Sequence, residues 1–138
     1  YYSISGFLLP WALSEGGMEV ITNLEELKPG AWKHPAFLSA AKRVAEVREK
    51  GYFQERAAGL SHTEAQLEFL NGKAAMIPCG TWLESEMKKQ MPAGFRMAFI
   101  LPPVIPGGKG DPTSVQVGVE PWLIPTRGTN SALAIDFF

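Results

Sequence analysis

The residues with the most chemical potential in this chain are His62, Glu64 and Cys79. His62-Thr63-Glu64, followed by Pro78-Cys79, reproduces half of the H-x-E and P-C-x-x-C spacing of a zinc-dependent hydrolase of the deaminase type. In such a centre one histidine and two cysteines hold the ion, and the glutamate moves protons for the metal-activated water. The second cysteine position here is Trp82, which cannot ligate zinc. Two candidate ligands fall short of the three protein ligands that catalytic zinc uses. His62 and Glu64 also have a simpler use, because Ser61-His62-Thr63-Glu64 is a capping box that opens a helix.

Other reactive patterns are weaker still. Cys79-Gly80-Thr81-Trp82 has the look of a loop around a nucleophilic cysteine, but the second cysteine of that pattern is absent and no histidine lies downstream. Gly107-Gly108-Lys109-Gly110 lacks the spacing and the Ser/Thr of a phosphate-binding loop. His34, isolated before Pro35, reads as the residue that opens a helix. Glu84 and Glu86 read as solvated helix charges rather than a glycosidase pair. No catalytic constellation survives, and the chain is read as a non-enzyme that calls for no metal and no cofactor.

What remains suits a sugar. Trp82 follows a predicted strand and the Gly80-Thr81 turn, and Glu120-Pro121-Trp122 sits between two predicted strands. Ligands of open α/β sheets lie beyond the carboxyl ends of strands, where a tryptophan can offer its face to the C–H side of a pyranose. A carboxylate such as Glu120 can accept hydroxyl hydrogen bonds. The alternative use of Trp122 is core packing, since an apolar strand follows it.

The elements that would position these residues alternate in type. Apolar spacing predicts a helix from the first residues through Ser14, closed by Gly16-Gly17, and a short strand from Met18 to Thr22. A helix from Pro35 to Lys50 carries Phe37, Leu38, Ala41, Val44 and Ala45 on its apolar face. The capping box opens a helix whose Ala65, Leu67, Phe69 and Leu70 face a core before Asn71-Gly72 ends it. A buried strand from Ala74 to Pro78, a helix from Trp82 to about Gln90 and a strand from Phe95 to Leu101 follow. Pro102 to Ser114 reads as an exposed loop, Val115 to Val119 and Trp122 to Pro125 as strands, and Asn130 as the start of a last helix. The predicted class is therefore α/β.

Composition limits the partners. With 138 residues, 46% of them hydrophobic, the chain can bury one core but not two. A net charge of -1 from interspersed acids and bases leaves no basic surface for nucleic acid or an anionic membrane. One cysteine excludes an internal disulfide. The apolar stretches Phe7 to Leu13 and Met97 to Val104 are too short to span a bilayer. The chain has no initiator methionine and stops at Asp136-Phe137-Phe138, just inside its last predicted helix. Both ends are expected to be cut, so a missing targeting segment carries no weight.

Ser61 to Trp82, SHTEAQLEFLNGKAAMIPCGTW, resembles the segment of family 1 extracellular solute-binding proteins in which a helix ending F-x-x-G-K-A-A-M runs into a strand and a G-x-W turn. The family's later pattern is similar to Val117-Gly118-Val119-Glu120-Pro121-Trp122-Leu123-Ile124-Pro125 and to Asn130 to Phe138. The Gly16-Gly17 helix end, the helix from Pro35 to Lys50 and Lys50-Gly51-Tyr52 extend the match over most of the chain. The resemblance implies part of one lobe of a two-lobe fold, with residues 1–138 forming the central portion of the C-terminal lobe. It implies a carbohydrate ABC importer, with a sugar ligand, membrane permease subunits and the remaining lobe of the same protein as partners. An extracytoplasmic place follows, in the periplasm or as a cell-surface lipoprotein. The ligand-stacking role of the G-x-W tryptophan carries onto Trp82. Pro121 replaces the small residue many members have there, which weakens the carry-over to Glu120 and Trp122. The wording of the motifs is nearest to binders of N-acetylglucosamine or its short oligomers. Trp82 is expected at the rim or floor of a cleft; a purely structural interaction domain is the remaining reading, favoured if Trp82 is buried in a core with no concave surface beside it.

Overall fold

The computed structural model describes residues 4–137. The first three residues of the first predicted helix, and Phe138 of the last, lie outside them. One turn of π-helix, Ile4–Leu8, leads into α1 (Leu9–Gly16), where Pro10 is tolerated because the first helical N–H groups lack intrahelical partners. Gly17 ends α1 at φ 84°, and its N–H bonds the Leu13 carbonyl at 2.8 Å. This is the predicted glycine stop, set by a backbone angle that a side chain would strain.

The strand expected from Met18 to Thr22 is instead part of α2 (Met18–Glu25). Val20 is buried and Leu24, one turn later, packs on the same cluster, while Met18 faces solvent. A strand would have placed Met18 and Val20 on one face. The apolar run satisfies helical spacing as well, and α1 offers a surface to pack on.

His34 caps α3 (Pro35–Glu49), accepting the Ala36 N–H on Nδ1 at 3.2 Å, as its place before Pro35 suggested. The buried face of α3 is rotated from the predicted one. Ala36, Phe37 and Ala40 are buried, with Val44 and Val47 beside them, whereas Leu38 is 62% exposed. Alanines at 36 and 40 let the α1 backbone approach closely, and close approach outweighs the larger side chain of Leu38. Together α1, α2 and α3 enclose one apolar cluster around Trp11, Ala12, Val20 and Phe37. Burial of a side chain such as Phe37 contributes about 1.5–3 kcal/mol.

The second cluster is smaller. The capping box forms as predicted, and α4 (His62–Leu70) ends at Asn71, followed by Gly72 at φ 73°. Leu70 packs against Leu83 and Met87, with Leu67, Phe69, Cys79, Phe95 and Met97 around them. The helix expected from Trp82 to about Gln90 is a single turn, α5 (Leu83–Glu86). The last element, α6 (Ser131–Phe137), starts beside Asn130, whose carbonyl accepts the Ala134 N–H at 3.0 Å.

Among the described residues there is no strand. The segments read as strands at 74–78, 95–101, 115–119 and 122–125 run without a ladder, and Met76, Val117, Val119 and Leu123 are exposed. A strand leaves alternate N–H and C=O groups unpaired unless a neighbour accepts them, and these segments meet no such neighbour among the described residues. Of the α/β expectation, the helical half is what the described residues contain.

The segment from Pro102 to Ser114 is the largely exposed loop expected, but it is tied down. Its main chain runs along the end of α1: Ile105 N–H donates to Ser14 Oγ at 2.7 Å, Gly110 N–H to the Ser14 carbonyl at 2.9 Å and Lys109 N–H to the Glu15 carbonyl at 3.2 Å. Carbonyls that a helix C-terminus leaves unpaired are thus satisfied from ninety residues away. A Cβ on Gly108 would fall on the Ser14 carbonyl oxygen, and one on Gly110 on that of Leu13. Gly108→Ala should therefore destabilise the chain by about 1–3 kcal/mol in urea unfolding, the range for steric overpacking. Gly118→Ala, which meets no atom within 4 Å, is the control and should change stability by less than about 0.5 kcal/mol.

Candidate functional site

Three local arrangements bear on chemistry. The first is around Trp82, the residue that opens α5, whose carbonyl accepts the Glu86 N–H at 2.9 Å and the Ser85 hydroxyl at 2.9 Å. Its indole folds back over Gly80, so that a Cβ added to Gly80 would enter the six-membered ring of Trp82. The side chain is not buried: Trp82 is 51% exposed. One ring surface lies against the Gly80 backbone while half of the residue stays open to solvent. Of the two conditions that would have favoured a purely structural role, burial of Trp82 in a core is not met, whereas neither hollow described below has Trp82 in its lining, so the cleft position expected for it is not seen.

The second arrangement surrounds Trp122. Trp122 is 77% exposed, and Glu120 and Pro121 beside it are exposed too. Trp122 and Ile124 line an open, largely apolar groove of about 430 Å³ against Leu133, Ala134 and Phe137 of α6. Neither Glu120 nor Trp82 is part of this groove. Of the two uses considered for Trp122, core packing is not what it has here. The structure places Trp122 with α6, Trp82 at the start of α5, and Glu120 on the exposed segment between.

A further hollow of about 250 Å³ lies between the second half of α3 and the Pro103–Pro106 segment, with Trp11, Arg43 and Tyr52 in its wall. Trp82 lines neither hollow.

The third arrangement joins residues on which the zinc reading stood. Gln66 of α4 is fully buried, and its Nε2 lies 2.9 Å from His62 Nε2, 2.9 Å from Glu86 Oε2 and 3.9 Å from Cys79 Sγ. His62 Nε2 and Glu86 Oε2 are 3.9 Å apart. His62 and Cys79 therefore do converge, but on an amide. Glu64 does not join them. Its carboxylate accepts the Ser61 N–H at 2.8 Å, and its own N–H donates to Ser61 Oγ at 3.4 Å, closing the capping box. Among the described residues no three His, Cys, Asp or Glu side chains come close enough to hold a metal. A glutamate committed to a helix cap cannot shuttle protons over a centre at Cys79, so the deaminase-like reading loses its general acid and base.

Gln66 and Glu86 as partners were not legible in the sequence. Gln66 sits among the apolar positions of α4, where its only signal was being polar between Ala65 and Leu67. Glu86 was set aside as a solvated charge, and its contact lies across two helices.

Among the described residues no helix is long and apolar enough to cross a membrane. The chain is 33% identical over 128 residues to a protein named diacetylchitobiose binding protein NgcE, from Streptomyces coelicolor. The similarity covers 91% of this chain and 27% of that protein, so the chain spans about a quarter of its relative's length. No family model matches the chain, and no solved structure matches it.

Two outcomes follow from these geometries. The Ser61 hydroxyl first, and the Ser61 backbone N–H second, hold the Glu64 carboxyl below its ordinary value. A lowered carboxyl contributes stability that is present above the ordinary carboxylate range and lost as pH falls through the lowered value. Far-ultraviolet circular dichroism should show helix loss below about pH 4, and Glu64→Gln should remove α4's share of that acid dependence. Gly80→Ala should drive the Trp82 ring off the backbone. With 5-fluorotryptophan in the protein and Trp82→Phe identifying its signal, the fluorine resonance of Trp82 should move while those of Trp11 and Trp32 stay in place.

Proposed function

We propose that the chain is part of the carbohydrate-binding protein of an ABC importer, and that Trp82 provides a stacking platform for a sugar ring. The observation that carries the reading is the 33% identity, extending over 91% of the chain, to a protein named for binding diacetylchitobiose. The half-exposed indole of Trp82 supports it, because stacking on the C–H face of a pyranose needs an open aromatic face held in one orientation.

In this reading residues 1–138 form the central portion of the C-terminal lobe of an α/β, two-lobe protein. The segments 74–78, 95–101, 115–119 and 122–125 are the strands of its sheet, paired with chain contributed by the rest of the lobe. Glu120 and Trp122 lie between two of those strands and add an acceptor and a second aromatic to the ligand site. The groove that Trp122 forms with α6 is then a place where further chain packs. The ligand is N-acetylglucosamine or a short oligomer of it, captured outside the cytoplasm and passed to permease subunits in the membrane.

Trp82→Ala in the complete binding protein should weaken binding of diacetylchitobiose by about 1–3 kcal/mol in calorimetric titration, the range for loss of an aromatic anchor. An unchanged affinity would remove Trp82 from the ligand site. The isolated chain, holding one wall of a two-walled site, should bind the same sugar no tighter than about millimolar, about 4 kcal/mol. Micromolar binding by the isolated chain would overturn the two-lobe arrangement.

A further inference from the structure

We propose that Glu86 and His62, braced by the buried Gln66, form a polar subsite beside Trp82 that hydrogen-bonds the hydroxyl and amide groups of a ring stacked on the tryptophan. The inference rests on Trp82 being the platform and adds a recognition function that the platform alone lacks. An indole face attracts any sugar with an apolar side, whereas a fixed carboxylate distinguishes the positions of hydroxyl donors.

Placement comes first. Trp82 and Glu86 are one helical turn apart, joined by the bond from Glu86 N–H to the Trp82 carbonyl at 2.9 Å. Residues four apart on a helix share a face, with about 5–6 Å between their Cβ atoms. Side chains in a helix lean toward its N-terminus, so the Glu86 carboxylate leans toward Trp82. Its side chain is 46% exposed and that of His62 40%, so both can meet a ligand arriving over the indole.

The brace comes from Gln66. A primary amide has two N–H donors, and Nε2 here lies 2.9 Å from an acceptor on each side, Glu86 Oε2 and His62 Nε2. For His62 Nε2 to accept, the neutral ring must carry its proton on Nδ1, an assignment that follows from the bond network. One oxygen of Glu86 is thereby fixed, while Oε1 has no bond among the described residues and remains the acceptor for a hydroxyl or acetamido N–H of the ligand. Gln66 itself is fully buried and its Oε1 has no hydrogen-bond partner among the described residues, an unfavourable state that a leucine or methionine of similar volume would avoid. What the glutamine has that they lack is the pair of donors, and both are spent on positioning the two exposed groups.

The alternative is that the cluster is only a polar tie between α4 and α5. Titration of the complete binding protein with diacetylchitobiose, alongside thermal unfolding, separates the two. Glu86→Gln keeps the shape and removes the charge; it should weaken binding about tenfold and leave Tm nearly unchanged. Gln66→Met should also weaken binding, and combining it with Glu86→Gln should weaken binding no further than Glu86→Gln alone, because Gln66 acts through Glu86. If Trp82→Ala weakens binding but Glu86→Gln does not, or if Glu86→Gln lowers Tm with affinity intact, the subsite is overturned and the platform stands. If Trp82→Ala binds as the unaltered protein does, the platform fails and the subsite with it. Should Gln66→Met fail to fold, Glu86→Gln decides the matter alone, since its side chain lies half in solvent.

Discussion

A backbone N–H or C=O taken out of water needs another partner, and this constraint governs the arrangement of residues 4–137. Helices meet it within themselves, so α1 to α4 form wherever apolar spacing also gives them a surface to pack on. The ends of helices do not, and the chain supplies what they lack by several means. Gly17 turns its N–H back to Leu13, His34 and Ser61 offer side-chain acceptors, Lys109 and Gly110 bring donors to the carbonyls of Glu15 and Ser14, and Ile105 N–H donates to the Ser14 hydroxyl. Segments suited to a sheet cannot satisfy themselves in this way, and they remain open chain, with Ile77, Phe95 and Met97 leaning on the second cluster and Met76, Val117, Val119 and Leu123 in solvent.

The same constraint explains which parts of the fold were legible in the sequence. Caps are local: His34 before Pro35, Ser61 with Glu64, and Gly16-Gly17 each signal through residues within one turn, and each is found where its spacing indicated. The type of a short apolar run is not local. Met18 to Thr22 fits strand or helix by composition, and the presence of α1 to pack on decides for the helix. The buried face of α3 was mistaken for a related reason. Side-chain size favours Leu38, but the spacing between two helix axes is set by the smallest residues at the crossing, Ala36 and Ala40.

Candidate sites divide along the same line. Trp82 could be singled out from the Gly80-Thr81 turn before it and the resemblance of the G-x-W segment, and the structure adds that Gly80 makes room for its ring. Glycine is needed there for space rather than for an unusual backbone angle. The use of the Gly107–Gly110 loop was hidden, since it depends on a helix end that the sequence places about ninety residues before it. Gln66 was invisible for the opposite reason: a polar residue inside an apolar helix face gives no sign of whether it turns outward or is buried with partners.

Burial decides what Gln66 can do. In water an amide exchanges partners freely and holds nothing in place; fully enclosed, with donors committed on two sides, it becomes a rigid spacer between α4 and α5. The enclosure comes from the second apolar cluster, in which Leu70 on α4 meets Leu83 and Met87 on and just beyond α5. The two helices are short, and α5 is a single turn, so neither would hold its direction without that contact. Hydrophobic packing thus fixes the helices, the fixed helices bury the amide, and the amide joins an imidazole on α4 to a carboxylate that lies one turn from an open indole. Each step restricts the freedom of the next group. In the subsite proposed above, the last of these steps sets a directed acceptor beside an aromatic face, the two features that recognition of a sugar ring requires.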